Sequence, residues 1–553
     1  MTTDHETPDG TVPWPDDVAV RYRATGCWED RPLGEYVLAS ADLRPDKVAL
    51  VSGGLRMTYA ELVDRMDAAA ERLLDLGLMP GERILVQLPN DWPFVVLTLA
   101  CFRAGIAPVM ALPAHRRHEL SYLASHSDSA AIVVADEIKG FDHEALAHEI
   151  AGSAPAVRHV LVAGEAGGSS IDLLALLAPG AAPGARARPN DRAPHPDAPA
   201  CFLLSGGTTG LPKLITRTHN DYACNIRSCI SVSELEEDSV YLGTLPASHN
   251  FPLACPGVLG TLFVGGRAVM LPSPEPVRGF ATIREEGVTI ASAVPAVAQR
   301  WIDHRNEVGG DDLATLRVLQ VGGSRMPDEF AARVAPELGA TLQQVFGMAE
   351  GLINMTRLND PLDVIVSTQG RPVSEFDEIR IVDPDGRDLP DGIPGLILTR
   401  GPYTPRGYFR APAHNATAFV DGWYGSGDIV SRRADGNLVV HGRDKDLINR
   451  GGEKISAEDV ENVVYRMLVV ELVAAVSMPD PILGERLCLY ATLHDGADLT
   501  LERVREFMTE QGMAAYKLPE RLEIRDSLPL TKVGKIDKKA LREDIAARSE
   551  AVR

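Results

Sequence analysis

Short apolar runs alternate with amphipathic stretches from residue 48 onward. Residues 48–52 read as a strand. Residues 58–77 place apolar side chains at helical spacing and run into Gly77, a residue suited to the left-handed turn that closes a helix. Residues 83–88 read as a strand and 92–104 as a helix, and 130–135 and 157–163 read as further strands. A short helix is predicted over 33–40. This alternation predicts an α/β protein with layered, largely buried sheets. The most apolar stretch, 93–114, is interrupted by Arg103, Gly105 and Pro108. That break fits a core helix followed by a buried strand and not a membrane span.

Residues 179–199 are rich in Ala, Pro and Arg, and read as a surface loop because patterned segments continue on both sides. The stretch after Gly442 differs. A Gly-Gly turn at 451–452 leads to a helix over 457–467, strands over 469–476 and 487–493, a helix over 501–511 and a strand near 521–525. We expect a large N-terminal domain over residues 1–443 and a small α+β domain over 444–553. A chain of 553 residues is too long for one ordinary core, which agrees with two domains.

Composition narrows the function. The apolar share is 45%, the charged share 24% and the formal net charge −22. These values predict a globular protein, exclude a basic nucleic-acid binder and require a local basic site for any polyanionic substrate. The seven cysteines are scattered with no CxxC pair, which points away from a disulfide framework or a zinc site and towards a reducing compartment. The N-terminus has neither a basic nor an apolar leader segment, so the expected location is cytoplasmic, with no membrane partner.

The apolar run 200–204 leads into Ser205-Gly206-Gly207-Thr208-Thr209-Gly210-Leu211-Pro212-Lys213. Glycines let a backbone bend and present N–H groups to an anion, hydroxyls add donors, and a lysine adds charge. The segment is not a Walker motif, since Pro212 precedes the lysine and no Gly-Lys-Ser/Thr triplet opens a helix. It resembles the phosphate loop of the adenylate-forming superfamily. Four further segments resemble that superfamily's signatures in the same order. They are Val345-Phe346-Gly347-Met348-Ala349-Glu350, Tyr424-Gly425-Ser426-Gly427-Asp428, Gly442-Arg443-Asp444-Lys445-Asp446 with the glycine turn after it, and Pro529 to Lys538 around Gly534-Lys535.

The resemblance implies ATP and Mg²⁺ as cofactors and a small C-terminal domain that rotates between two half-reactions. It implies that Lys535 bridges carboxylate and α-phosphate, that Glu350 holds Mg²⁺ and that Asp428 takes the ribose hydroxyls. Arg443 and Gly347 then lie at the nucleotide, Thr208, Thr209 and Lys213 at the β/γ-phosphates, and Lys445 at the hinge. Read as bare residues, Lys535 is one lysine in a basic run and Glu350 an acid at a helix start. Leu396 and Ser426 depart from the family pattern, where Glu and Thr are usual, at positions to which no chemistry is assigned.

Leu245 to Gly257 speaks to the acid. Asn250 stands where amino-acid-activating relatives have an aspartate for the substrate ammonium; a neutral amide suits a phenolic hydroxyl instead. His249-Asn250-Phe251-Pro252 and Ala349 resemble the aryl acid–AMP ligase subgroup of siderophore and nonribosomal peptide pathways. Cys255 stands where enzymes for 2,3-dihydroxybenzoate usually have Ser and those for salicylate Cys. A thiol is a poor partner for a 3-hydroxyl, which favours salicylate. Phe251, Gly322, Gly323, Ser324 and Val345 complete the expected pocket. His249 either gates the carboxylate or stabilises a turn, and Cys255 is equally a small buried apolar residue. The expected thiol acceptor is a phosphopantetheinylated aryl carrier protein, with no nucleic acid involved. Other acids (2,3-dihydroxybenzoate, 3-hydroxypicolinate, 6-methylsalicylate), an aryl-CoA ligase using coenzyme A, and a silent nucleotide-binding scaffold are the alternatives.

Overall fold

The computed structural model describes residues 9–180, 193–205, 211–310, 312–450, 453–531 and 534–551. Two large sheets dominate. The nine-stranded sheet runs, in spatial order, Arg371–Pro372, Gly351–Met355, Thr341–Met348, Val318–Gly322, Ile290–Ala293, Val240–Gly243, Arg267–Met270, Val48–Ser52 and Leu55–Thr58. Its six central strands are mutually parallel and its edges antiparallel. The seven-stranded sheet runs Leu214–Thr218, Pro199–Leu204, Ala107–Met110, Arg83–Gln87, Ala131–Ala135, His159–Ala163 and Ile171–Asp172.

Helix Trp92–Ala104 touches strands of both sheets, which is why its sequence is apolar all round. Its one internal charge, Arg103, is buried against Asp67 of helix Tyr59–Asp75 at 2.8 Å. That second helix starts with a capping box between Thr58 and Glu61, and Gly77 follows its end at φ +82°. No helix among the described residues is long and apolar enough to cross a membrane.

A five-stranded sheet then holds Trp423–Arg432, paired with Gly395–Arg400 and Leu438–Arg443. Another five-stranded sheet, built on the long hairpin of Val470–Asp480 and Gly484–Leu493, forms the smaller C-terminal domain together with helices Ala457–Val464, Leu501–Glu510 and Lys538–Ala551. Pro479 is tolerated there because Val470–Asp480 is an edge strand, and that strand runs past the expected end at 476. The helix expected over 457–467 ends at Val464, where Arg466 and Met467 bond back three residues instead of four. Most of the loop expected at 179–199 lies outside the described residues.

Candidate active site

The site forms at the carboxyl ends of the parallel strands of the nine-stranded sheet, where loops leave the layer and side chains converge. Strand Val318–Gly322 delivers Gly322 beside Val345 of strand Thr341–Met348. A Cβ on Gly322 would lie 3.1 Å from Phe251 Cε1 and 3.1 Å from the Val345 carbonyl oxygen. Glycine therefore lets the phenylalanine ring pack directly onto this strand end, at the edge of the candidate acid slot. Gly323 follows at φ +90°, a backbone conformation natural to glycine. Ser324 is exposed beyond it.

Phe251 and Asn250 sit on the short helix Asn250–Ala254, capped by His249, whose Nδ1 accepts from the Phe251 amide at 3.3 Å. His249 is thus a cap, and it also faces the site. Burial, and secondarily the Lys535 charge, pull its pKa down to about 4, so the imidazole is neutral. Asn250 is 5% exposed, its Oδ1 accepts from the Tyr222 hydroxyl at 2.9 Å, and its Nδ2 lies 3.4 Å from Cys255 Sγ.

Lys535 reaches this slot from the small domain. It sits in a tight loop closed by the Thr531 amide on the Lys535 carbonyl (2.6 Å) and the Lys535 amide on Thr531 Oγ1 (3.1 Å). A Cβ on Gly323 would stand 3.1 Å from Lys535 Cε and 3.7 Å from its Nζ. Burial first, then the Arg443 charge, lower Lys535 to about 8, against the opposing pull of Asp428 and Glu458. At neutral pH the ammonium is largely charged and weakly compensated, a state suited to receiving anions.

Glu350 lies in the tight connection between strands Thr341–Met348 and Gly351–Met355, not at a helix start. It is 7% exposed, and its Oε1 accepts from the Tyr408 hydroxyl at 2.9 Å. Burial raises its pKa, with Tyr408 and Arg443 acting in the other direction. Tyr408 also stands 3.2 Å from the Tyr424 hydroxyl, and Lys213 Nζ lies 5.4 Å over its ring. The neck of the phosphate loop is closed by two 3.0 Å bonds, from the Ser205 amide to the Lys213 carbonyl and from the Lys213 amide to Ser205 Oγ. Gly206, Gly207, Thr208, Thr209 and Gly210 lie outside the described residues. Gly347 is exposed on strand Thr341–Met348.

Asp428, buried on strand Trp423–Arg432, is the cross-strand partner of Arg443, whose Nε donates to its Oδ1 at 2.9 Å. Lys445 follows in the short turn Asp444–Asp446. Among the described residues no cluster of three His, Cys, Asp or Glu side chains is placed to hold a metal ion. A lone buried carboxylate fits Mg²⁺ that completes its shell with phosphate oxygens and water.

Sequence reasoning missed three residues that hold these groups in place. Tyr408 orients Glu350, and Tyr222 meets Asn250. Arg217, fully buried, donates to Asp221 Oδ1 (2.7 Å) and to the carbonyl of Ala349, next to Glu350 (3.1 Å). An arginine inside the apolar strand 214–218 with an aspartate four residues on was the available signal.

A hairpin neck at Ser205 and Lys213, a buried acid, a buried aspartate paired with an arginine and a lysine lent by a second domain are compatible with an ATP-dependent adenylating ligase, and that is the class of this protein. The chain belongs to the AMP-binding enzyme family: it matches the AMP-binding enzyme model over residues 37–409 and the AMP-binding enzyme C-terminal domain over 459–535. Enzymes of this family use ATP. The chain is 56% identical to a salicylyl-CoA synthase / salicylate adenylyltransferase of a Streptomyces species, covering 99% of both chains. It is 53% identical to a 2-hydroxy-7-methoxy-5-methyl-1-naphthoate–CoA ligase of Streptomyces carzinostaticus, covering 99% of this chain and 100% of that protein. It is 46% identical to a salicyl-AMP ligase / salicyl-S-ArCP synthetase of Mycobacterium tuberculosis, over 96% and 94% of the two chains.

Proposed function

We propose that this enzyme adenylates an ortho-hydroxylated aryl acid, salicylate above others, and passes the aryl group to a phosphopantetheine thiol on a carrier protein. The observation that supports it best is the Lys535 ammonium brought against Gly323, on the strand end where Phe251 packs, beside a neutral His249. In the first step a carboxylate oxygen bonds to the α-phosphorus of ATP, the bond to the β-phosphate bridging oxygen breaks, and pyrophosphate leaves. Both reactants are anions, so the enzyme's task is to neutralise charge and align the attack. Lys535 neutralises the approaching oxygens, Phe251 stacks on the ring, Asp428 holds the ribose, and Ser205 to Lys213 cradle the outer phosphates. Glu350 would hold Mg²⁺, which supplies charge neutralisation at the phosphates when bound. In the second step a thiol sulfur attacks the acyl carbon and AMP departs. Lys445 serves as the hinge, and the small domain, taken from residue 444, swings to remove Lys535 before that step. With ATP as co-substrate, the reaction belongs in the cytoplasm.

Acid-dependent ATP–pyrophosphate exchange on salicylate, 2,3-dihydroxybenzoate and benzoate tests the first step, with salicylate expected to be used best. No exchange with any aryl acid defeats the reading. A second reading, coenzyme A as acceptor, is favoured by the activities for which the two Streptomyces relatives are named. Comparing coenzyme A with a phosphopantetheinylated carrier protein as acceptor separates the two.

A further inference from the structure

Tyr222 lies on helix His219–Val232 and is fully buried. The Arg217 guanidinium carbon sits 4.8 Å from its ring centroid. The hydroxyl lies 2.9 Å from Asn250 Oδ1. On the other side of Asn250, the Cys255 thiol donates to the Asn250 main-chain oxygen at 3.5 Å, so its sulfur is left to accept from Asn250 Nδ2 at 3.4 Å. The Tyr222 contact sets which way the amide faces. Turned over, it would set its NH₂ against a phenol that has no other hydrogen-bond acceptor among the described residues. The second Nδ2 hydrogen has no partner among the described residues and is free for a ligand.

We propose that Tyr222 is a positioning residue for substrate choice. By donating to Asn250 Oδ1 it locks the amide so that the acid pocket offers an N–H donor, which selects aryl acids whose ortho group accepts a hydrogen bond over those with an ortho amine. This rests on the reading that an aryl acid fills the slot beside Asn250. The ortho hydroxyl of salicylate donates to its own carboxylate and turns an oxygen lone pair outward. The ortho amine of anthranilate gives one N–H to its carboxylate and turns the other outward, while its lone pair is delocalised into the ring. Donor then meets donor, and a buried group left unpaired in this way lowers preference by about ten-fold.

The test measures kcat/KM for pyrophosphate exchange with salicylate and anthranilate on the full-length enzyme, each normalised to benzoate, which has no ortho group. Wild type is expected to favour salicylate, and Tyr222→Phe to lower the salicylate-to-anthranilate ratio by about ten-fold as the amide becomes free to turn. Asn250→Asp, which offers only acceptors when ionised, is expected to lower the same ratio with Tyr222 intact. In an Asn250→Ala background, Tyr222→Phe is expected to leave the ratio unmoved. An unchanged ratio in Tyr222→Phe or Asn250→Asp, or a shifted ratio in the double variant, overturns the inference while the adenylation reading stands. Absence of wild-type exchange with every aryl acid defeats the adenylation reading instead.

Discussion

Replacing Lys535 by alanine removes the small-domain positive charge that the structure brings against Gly323. Its Nζ would stand 3.7 Å from a Cβ on Gly323, so a carboxylate in the slot lies within direct ionic reach. Two unit charges about 4 Å apart interact by about 4 kcal/mol at an effective dielectric of about 20. Removing one pre-placed stabiliser of transition-state charge typically costs about 10²–10³ in rate. We therefore expect pyrophosphate exchange to fall by about 10²–10³ in Lys535→Ala. Transfer from pre-formed salicyl-AMP to a thiol should survive, since the proposed swing of the small domain takes the lysine away from that step. Titration removes the same charge by a second route. Lys535 is held down to about 8, so it is protonated below that pH and loses its charge above it. The kcat/KM for exchange, which reports groups of the free enzyme, should therefore decline as pH rises through about 8. In Lys535→Ala that alkaline limb should disappear. Full-rate exchange in the variant, or an alkaline limb that persists in it, refutes the reasoning.

Three further outcomes are expected. Cys255→Ser should raise the use of 2,3-dihydroxybenzoate relative to salicylate, because a hydroxyl pairs with the 3-OH more strongly than a thiol does; an unchanged ratio in the exchange assay counts against that account of the pocket. Tyr408→Phe removes the donor that orients Glu350, and the half-saturating Mg²⁺ concentration for exchange should rise about ten-fold; an unaltered Mg²⁺ titration would show that the 2.9 Å contact does not matter. Arg217→Met strands the Asp221 carboxylate at 0% exposure, which should destabilise the large domain by about 3–5 kcal/mol in denaturant unfolding; a loss below about 1 kcal/mol would mean that water reaches the aspartate.

The parts of this molecule that show in the sequence are those whose cause is local. Helix Trp92–Ala104 is apolar on every side because two sheets enclose it, and that condition is written into consecutive residues. A loop that is to present amides and hydroxyls to phosphate needs glycines and hydroxyls next to one another, and the Lys535 loop needs Thr531 and Gly534 close by to close its turn. Such requirements leave short, dense patterns. The residues that orient the chemistry leave none, because their partners are remote along the chain. Tyr222 meets Asn250 across 28 positions, Tyr408 meets Glu350 across 58, and Arg217 meets the Ala349 carbonyl across 132. Each looks locally like an ordinary core aromatic or a misplaced charge. The one local hint, an arginine in an apolar strand, announces that a partner exists without saying which strand-end it supports. It follows that sequence motifs here locate the candidate reacting charges, whereas the direction in which Asn250 and Glu350 present their polar atoms is settled by sheet register and helix placement. On the role proposed for Tyr222, substrate choice between ortho-hydroxy and ortho-amino acids belongs to the fold as much as to the pocket residues themselves.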